Sequence, residues 1–202
     1  MNRQTNPKKP PKTARGRKTR DKLLQAAELE FGSQGFHDAS VSSITQQAGV
    51  ALGTFYNYFE SKEEIYRALV GYMSHRVRSW IAERIADAPD RISAERKGLQ
   101  AYLEFVREHP GLYRIIAEAE FVANDAFMEH YRGIARAYTA NLRAAVERNE
   151  IRDGDSEVWS WAIMGMMVFL GMRYGEWDQI TDPVEVARRA GDLLANGIAR
   201  KE

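Results

Sequence analysis

The sequence contains no cysteine, and none of its apolar runs is long enough to cross a membrane. Without cysteine the chain can form neither disulfides nor reactive thiolates, which agrees with a reducing compartment. No apolar stretch follows the basic N-terminus, so we expect a cytoplasmic protein without a secretory signal. The most apolar run, residues 158–172, is shorter than the roughly 20 residues of a transmembrane helix. We therefore expect no membrane partner.

Residues that carry catalysis or bind metals are also scarce. The histidines at positions 37, 75, 109 and 130 are scattered, and none has a second ligand at the spacing of a metal site. The sequence contains no glycine-rich phosphate-binding loop. It therefore predicts no enzyme activity, no metal site and no cofactor. Sustained alternation of apolar and polar residues, which indicates strands, is absent as well, so we predict an all-α fold.

Charge is unevenly distributed along the chain. Residues 1–62 contain ten Lys or Arg and five Asp or Glu, whereas the remaining residues contain nineteen and twenty-three, although the whole chain carries a formal charge of only +1. Residues 1–18 are rich in proline and nearly lack apolar side chains. We expect them to form a disordered arm that is attracted to nucleic-acid phosphates. The cations that precede the first acidic residue are Arg3, Lys8, Lys9, Lys12, Arg15, Arg17, Lys18 and Arg20.

Residues 41–60 have the pattern of two short helices around a glycine corner. Ile44 and Ala48 lie four residues apart and mark the buried face of the first helix. Gly49 can adopt the left-handed conformation at the helix end, and Phe55 anchors a very short second helix. The polar groups left on the outside suit phosphates and base edges. An ordinary helical hairpin has similar spacing, but the basic arm upstream favours a DNA-binding helix-turn-helix.

Residues 20–65 resemble the DNA-binding domain of the TetR/AcrR family of bacterial transcription regulators. The segments that carry the resemblance are RDKLLQAA, SVSSI, AGV, GTFYNYF and SKEE. The resemblance implies a helix-turn-helix domain over residues 19–64, with the motif at 41–60. It also implies a C-terminal helical domain over residues 65–202 that binds a ligand and dimerises.

The resemblance also implies which residues contact an operator. Thr45 stands where the family often has alanine, and we expect its hydroxyl to bond back to the Val41 carbonyl. Leu52 stands where lysine is frequent, which removes one possible contact. The predicted phosphate contacts are Thr54, Tyr58 and Lys62. The predicted base-facing residues are Leu52, Gly53, Tyr56 and Asn57. Ser40 and Ser42, at the start of the first motif helix, complete the predicted DNA-binding set.

Downstream of the motif the sequence predicts a series of amphipathic helices. Ser61 and Glu64 form a capping box that starts a rod over residues 65–81, which continues from the DNA-binding domain into the C-terminal half. Further helices are predicted over residues 93–109, 112–120 and 124–150. The last helix is expected to begin at Asp182, which precedes a proline at the first helical position.

Aromatic and methionine side chains of the C-terminal half predict an apolar pocket. An ordinary core is the alternative interpretation of the same residues. The predicted pocket residues are Tyr102, Phe105, Phe127, Tyr131, Tyr138, Trp161, Met164 and Val168. A small hydrophobic effector, such as an acyl chain, an acyl thioester or a hydrophobic drug, fits this composition.

Residues 158–172 are apolar around almost the whole circumference of a helix, and such a helix must be covered on every side. The TetR-like arrangement implies a homodimer in which the last two helices of each subunit form a four-helix bundle. The predicted interface residues are Met166, Phe169, Leu170, Val186, Ala190, Leu193 and Leu194. Burial of the whole run within a monomer is the alternative.

These features predict a homodimeric transcription regulator, specifically a repressor that a small hydrophobic ligand releases from a palindromic double-stranded operator. The alternative is a DNA-binding structural or nucleoid-associated protein that a protein partner controls instead of a ligand. A sharp operator near a promoter would favour the regulator, whereas broad DNA binding would favour the structural protein.

Overall fold

The computed structural model describes residues 11–197, and these residues form helices without any strand. The all-α prediction is therefore confirmed. The helices are α1 (Ala14–Asp38), α2 (Val41–Ala48), α3 (Leu52–Phe55), α4 (Lys62–Ile85), α5 (Arg91–Glu108), α6 (Leu112–Val122), α7 (Asn124–Glu147), α8 (Ser156–Gly171), a π-helical turn (Met172–Trp177) and α9 (Pro183–Asn196). Within residues 11–197, no helix combines the length and the apolar character needed to span a bilayer.

Capping residues explain most of the helix bounds. Asp182 caps α9 by accepting the Val184 amide at 3.0 Å, which confirms the predicted start of the last helix. At the start of α4, Ser61 Oγ accepts the Glu64 amide at 3.1 Å. Helix α7 ends at Glu147, before the predicted residue 150, because Asn149 adopts a positive φ of 57° that a helix cannot continue through.

The start of α1 corrects the prediction for the basic arm. Residues 1–18 were expected to lack regular helix, but α1 begins at Ala14 because Thr13 Oγ1 accepts the Gly16 amide at 3.1 Å and caps the helix. Gly16 lies within the helix and is buried, and a Cβ there would lie 2.9 Å from the Cβ of Pro11. The predicted arm cations Arg3, Lys8 and Lys9 lie outside the described residues.

The chain divides into two compact units. The first comprises the described residues up to Ser74 together with Gly111–His130, and the second comprises His75–Pro110 together with the described residues from Tyr131 onward. This division differs from the predicted boundary after residue 64, because α6 packs against α1. The buried hydroxyl of Tyr66 also donates to the Ile115 carbonyl at 2.7 Å. Helix α6 therefore belongs to the same unit as the helix-turn-helix.

The core of the second unit includes the meeting of α5 and α9. Leu99 and Leu103 pack there against Val186, Ala187 and Ala190. Val186 and Ala190 were predicted to lie in a dimer interface; that prediction is corrected, because the apolar stripe of α9 faces α5 of the same chain. Three further predicted interface residues, Met166, Leu170 and Leu194, are half-buried.

Candidate DNA-binding site

The corner between α2 and α3 has the geometry that the sequence predicts. Ser40 caps α2, with its Oγ accepting the Ser43 amide at 3.0 Å. Gly49 ends the helix in the left-handed conformation, with φ 65° and ψ 38°. The amide of Val50 then donates to the Thr45 carbonyl at 3.0 Å and closes the turn. This turn directs the chain into α3.

The recognition segment, which comprises α3 and the turn after it (residues 52–59), buries its aromatic anchors and exposes the predicted base-facing side chains. Phe55 and Phe59 are buried with their ring centroids 5.6 Å apart. Leu52 is 50% exposed and Tyr56 is 48% exposed. The same surface carries the exposed residues Gly53 and Asn57, with Thr54 and Tyr58 half-buried beside them. The structure thus brings the predicted α3 residues together on one outer surface.

Helix α2 is held on α1 by a side-chain bond. Ser43 Oγ donates to the Glu30 carboxylate at 2.5 Å, and Ser42 remains exposed on the first turn of α2. Thr45 is buried and its hydroxyl donates to the Ser42 carbonyl at 2.9 Å. The expected bond from Thr45 to Val41 is therefore corrected by one residue: the hydroxyl bonds three residues back instead of four.

The first turn of α1 lies next to the end of the recognition segment. A Cβ on Gly16 would be 3.7 Å from the Tyr58 hydroxyl, and the Arg20 guanidinium lies 5.5 Å from the centre of the Phe59 ring. Arg15 and Lys18 are exposed on the same helical turns of α1. Part of the predicted cationic arm is therefore ordered as helix beside the α3 surface, where its charge adds to the attraction of phosphates.

Lys62 binds backbone carbonyl groups at the C-terminal end of α1. Its Nζ donates to the carbonyls of Phe36 at 2.7 Å, His37 at 3.1 Å and Ala39 at 2.9 Å, and lies 4.5 Å from the Phe36 ring centre. An ammonium group has three donors, and all three are used here. The phosphate contact of Lys62 stays a prediction, and in this structure its Nζ bonds to the carbonyls at the C-terminal end of α1. No local pattern indicates this role, since the acceptors lie 23 to 26 residues earlier.

The predicted pocket residues are distributed over both units and have different environments. Phe127 belongs to the first unit and the other seven to the second. Phe105 is fully buried and contacts Trp80 and His109, with ring-centroid distances of 6.1 and 4.1 Å. Met164 is buried, and Trp161 is 44% exposed. The remaining predicted pocket residues are half-buried; they are Tyr102, Phe127, Tyr131, Tyr138 and Val168.

Tyr138 belongs to a buried polar network with Arg91 and Glu95. Its hydroxyl bonds to the Glu95 carboxylate, and the Arg91 guanidinium bonds to the same carboxylate and lies 4.9 Å from the Tyr138 ring centre. Burial first, and then the Glu95 charge, raise the pKa of Tyr138 well above its ordinary value. The phenol therefore stays neutral and donates to Glu95 instead of facing an apolar ligand.

A cavity of about 330 Å³ opens in the second unit between the α4–α5 junction and the C-terminal part of α7. None of the eight predicted pocket residues lines it. Its lining is Ile85, Ala88, Asp90, Arg91, Ala94, Asn141, Ala144, Arg148 and Glu150. Among residues 11–197, no cluster of three or more His, Asp or Glu side chains could hold a metal ion.

The model of the bacterial regulatory proteins of the tetR family matches residues 23–69, which contain the exposed residues 52–58 described above. The chain belongs to the TetR family. It is a DNA-binding transcriptional regulator, and the family is not one of enzymes. The match begins within α1 and ends within α4, so it covers α2, α3 and the Lys62 contacts.

Relatives and solved structures extend the similarity beyond the DNA-binding domain. An uncharacterized HTH-type transcriptional regulator, YdgC from Bacillus subtilis, is 29% identical over 93% of this chain and 96% of its own length. The nucleoid occlusion factor SlmA from Vibrio vulnificus is 25% identical over 68% of this chain and 71% of its own length. The crystal structure of the transcriptional regulator FadR from Bacillus subtilis in complex with stearoyl-CoA superposes with a TM-score of 0.76 at 23% identity, over 89% of this chain and 99% of that chain.

Proposed function

We propose that this TetR-family protein is a homodimeric repressor that a long-chain acyl thioester releases from a palindromic operator. The observation that carries the DNA-binding part is the outward surface of residues 52–58, where Leu52, Tyr56 and Asn57 are exposed beside the basic first turns of α1. Side chains of this kind can reach base edges while the neighbouring cations attract phosphates.

An exposed apolar face on α8 supports the homodimer. Val158, Trp161, Ala162 and Phe169 are exposed and recur at helical spacing, and Phe169 is 70% exposed. Contiguous apolar surface indicates an interaction site, because its exposure to water is unfavourable. Leu193 on α9 is 44% exposed and would extend the same interface. Of the predicted interface residues, Phe169 and Leu193 fit the proposal best.

A second copy of the chain is the occupant that suits DNA recognition. Two recognition helices related by a two-fold axis read the two halves of a palindrome when they lie one helical turn of DNA, ~34–36 Å, or a multiple of it apart.

Helix α4 is continuous from Lys62 to Ile85 and so carries residues of both units. A ligand that tilts α4 would change the spacing between the two recognition helices.

The acyl thioester is proposed from two observations. The chain has the fold of a FadR crystallised with stearoyl-CoA, and its second unit contains the half-buried apolar side chains Tyr102, Tyr131 and Val168. Such a ligand acts only through its different affinity for the DNA-bound and free spacings, and a coupling of ~1–3 kcal/mol is typical. Reciprocity requires that operator DNA weakens acyl thioester binding by the same factor.

The experiment has two stages. Genomic fragments of the host are selected with the purified protein, and the selected operator is then titrated with and without stearoyl-CoA. We expect a palindrome near a promoter and an operator affinity that falls about 5- to 150-fold with the thioester. The stearoyl-CoA affinity, measured with and without operator, must change by the same factor. A stearoyl-CoA affinity that is the same with and without operator would exclude release of the operator by the thioester.

The relative SlmA favours one second candidate, a nucleoid-associated protein controlled by a protein partner. That function predicts many dispersed binding sites, and operator binding that stearoyl-CoA and other acyl thioesters leave unchanged. Dispersed sites combined with an absent thioester response would therefore select the second candidate over the repressor.

A further inference from the structure

Helix α1 contains a break just before the DNA-binding motif. Gly35 has φ 79° and ψ 170°, which lies outside the helical region, and Phe36 then starts a last helical turn that leads towards α2. Amides at the start of a helical turn lack an acceptor within the helix. The Phe36 amide donates instead to Glu118 Oε2 at 2.7 Å, across 82 residues of sequence. Glu118 thus acts as a side-chain cap supplied by α6.

The break is shaped to admit this carboxylate. A Cβ on Gly35 would lie 2.7 Å from Glu118 Oε1, closer than a Cβ carbon approaches an oxygen to which it is not bonded. The positive φ at Gly35 also favours glycine. Any other residue there would displace the carboxylate from the Phe36 amide. The Gly35–Glu118 pair is therefore a close approach that depends on both residues.

Other contacts hold α6 at this place on α1. Gly111 has φ 94°, and a Cβ there would lie 2.5 Å from Gly32 Cα, so the two backbones touch. Arg114 donates to the Ser33 carbonyl at 2.5 Å. These contacts fix α6 one turn before the break, and they bring the carboxylate of Glu118 to the Phe36 amide without a long reach.

Lys62 holds the same segment through its carbonyl groups. Its Nζ bonds to the Phe36, His37 and Ala39 carbonyls, while Glu118 holds the Phe36 amide. An anion on the amides and a cation on the carbonyls both match the helix dipole of this short turn. The segment they hold, residues 36–39, leads directly to Ser40, the cap of α2. Its conformation therefore sets where α2 and α3 begin.

We propose that Glu118 is a positioning residue of the DNA-binding surface. It contacts no DNA; it fixes residues 36–39 through the Phe36 amide and thereby orients α2 and α3. The inference rests on the proposed operator binding. It gives α6 a role in DNA affinity that the family-matched segment, residues 23–69, does not contain.

The test compares Glu118→Ala and Glu118→Gln with Glu120→Ala, which removes an exposed carboxylate from the same helix. We expect Glu118→Ala to lower operator affinity about ten-fold, as the loss of one charge-assisted hydrogen bond would. Glu118→Gln keeps an uncharged acceptor, so its operator affinity should lie between those of the wild type and Glu118→Ala. Glu120→Ala should change affinity less than about two-fold. The salt dependence of binding should stay unchanged in all three variants, because no phosphate contact is lost.

Amide hydrogen exchange supplies a readout that is independent of DNA. The Phe36 amide should exchange about ten-fold faster in Glu118→Ala and at the wild-type rate in Glu120→Ala. Equal operator affinities for Glu118→Ala and Glu120→Ala, or unchanged Phe36 exchange, would overturn the proposal. If Glu118→Ala does not fold, Glu118→Gln decides by the same two measurements. If wild-type protein binds no specific sequence, the proposed repressor function fails, and Phe36 exchange still tests the role of Glu118 on its own.

Discussion

Replacing Lys62 distinguishes a structural cation from a DNA contact. Lys62→Ala removes the ammonium group that bonds to the carbonyls of Phe36, His37 and Ala39 at 2.7, 3.1 and 2.9 Å. Lys62→Met removes the same charge but keeps most of the apolar stem. If the three bonds stabilise α1, both variants should lose folding stability, and Lys62→Ala should lose more.

The magnitude follows from the contacts. Hydrogen bonds to a charged group contribute ~1.5–3 kcal/mol, and a cation at a helix C-terminus contributes ~0.3–1 kcal/mol. Lys62 is half-buried, so water replaces part of what is lost. We therefore expect Lys62→Ala to lower the free energy of unfolding by about 2 kcal/mol. In a chain of this size, the melting temperature should fall by roughly 4–8 °C.

Two measurements decide between the roles. Thermal unfolding is followed by circular dichroism at one fixed protein concentration, and operator affinity is followed by fluorescence anisotropy over a range of salt concentrations. A structural Lys62 predicts a lower melting temperature and an unchanged slope of log affinity against log salt. A phosphate contact would reduce that slope by ~0.9. Arg143→Ala removes an exposed cation of the second unit and serves as the control. A wild-type melting temperature with a reduced slope would refute the structural role.

Three further changes test the remaining proposals. Tyr56→Ala or Asn57→Ala should cost ~1–3 kcal/mol of discrimination between operator and random DNA, as measured by competitive gel shift; equal losses on both DNAs would contradict base readout. Deleting residues 1–10 leaves the described start of α1 intact. It should reduce the slope of log operator affinity against log salt concentration by roughly 0.9 for each cation that contacts a phosphate. An unchanged slope would show that these residues contact no phosphate. Phe169→Glu places a charge on the exposed face of α8 and should yield monomers without operator binding in sedimentation and gel-shift assays. Wild-type protein that is monomeric at micromolar concentration would refute the dimer.

The helix-turn-helix could be predicted because its information is local. The spacing of Ile44, Phe55 and Phe59 places them on buried faces, and all three are buried. Gly49 marks a left-handed helix end, and the structure has φ 65° there. Each of these features depends on a few neighbouring residues and on backbone sterics, so the segment alone determined them.

The contacts that position this motif depend on residues far apart in sequence. Lys62 carries the same charge whether it meets a phosphate or a carbonyl, and only the fold places the end of α1 within 2.7 Å of it. Glu118 lies on a helix whose pattern indicates nothing about Phe36, 82 residues away. Val186 lies on an apolar stripe that fits a partner subunit and α5 equally well, and packing directs it to α5. The amino-acid sequence by itself therefore determined the DNA-binding motif, whereas the choice among chemically equivalent partners for these side chains came from tertiary packing.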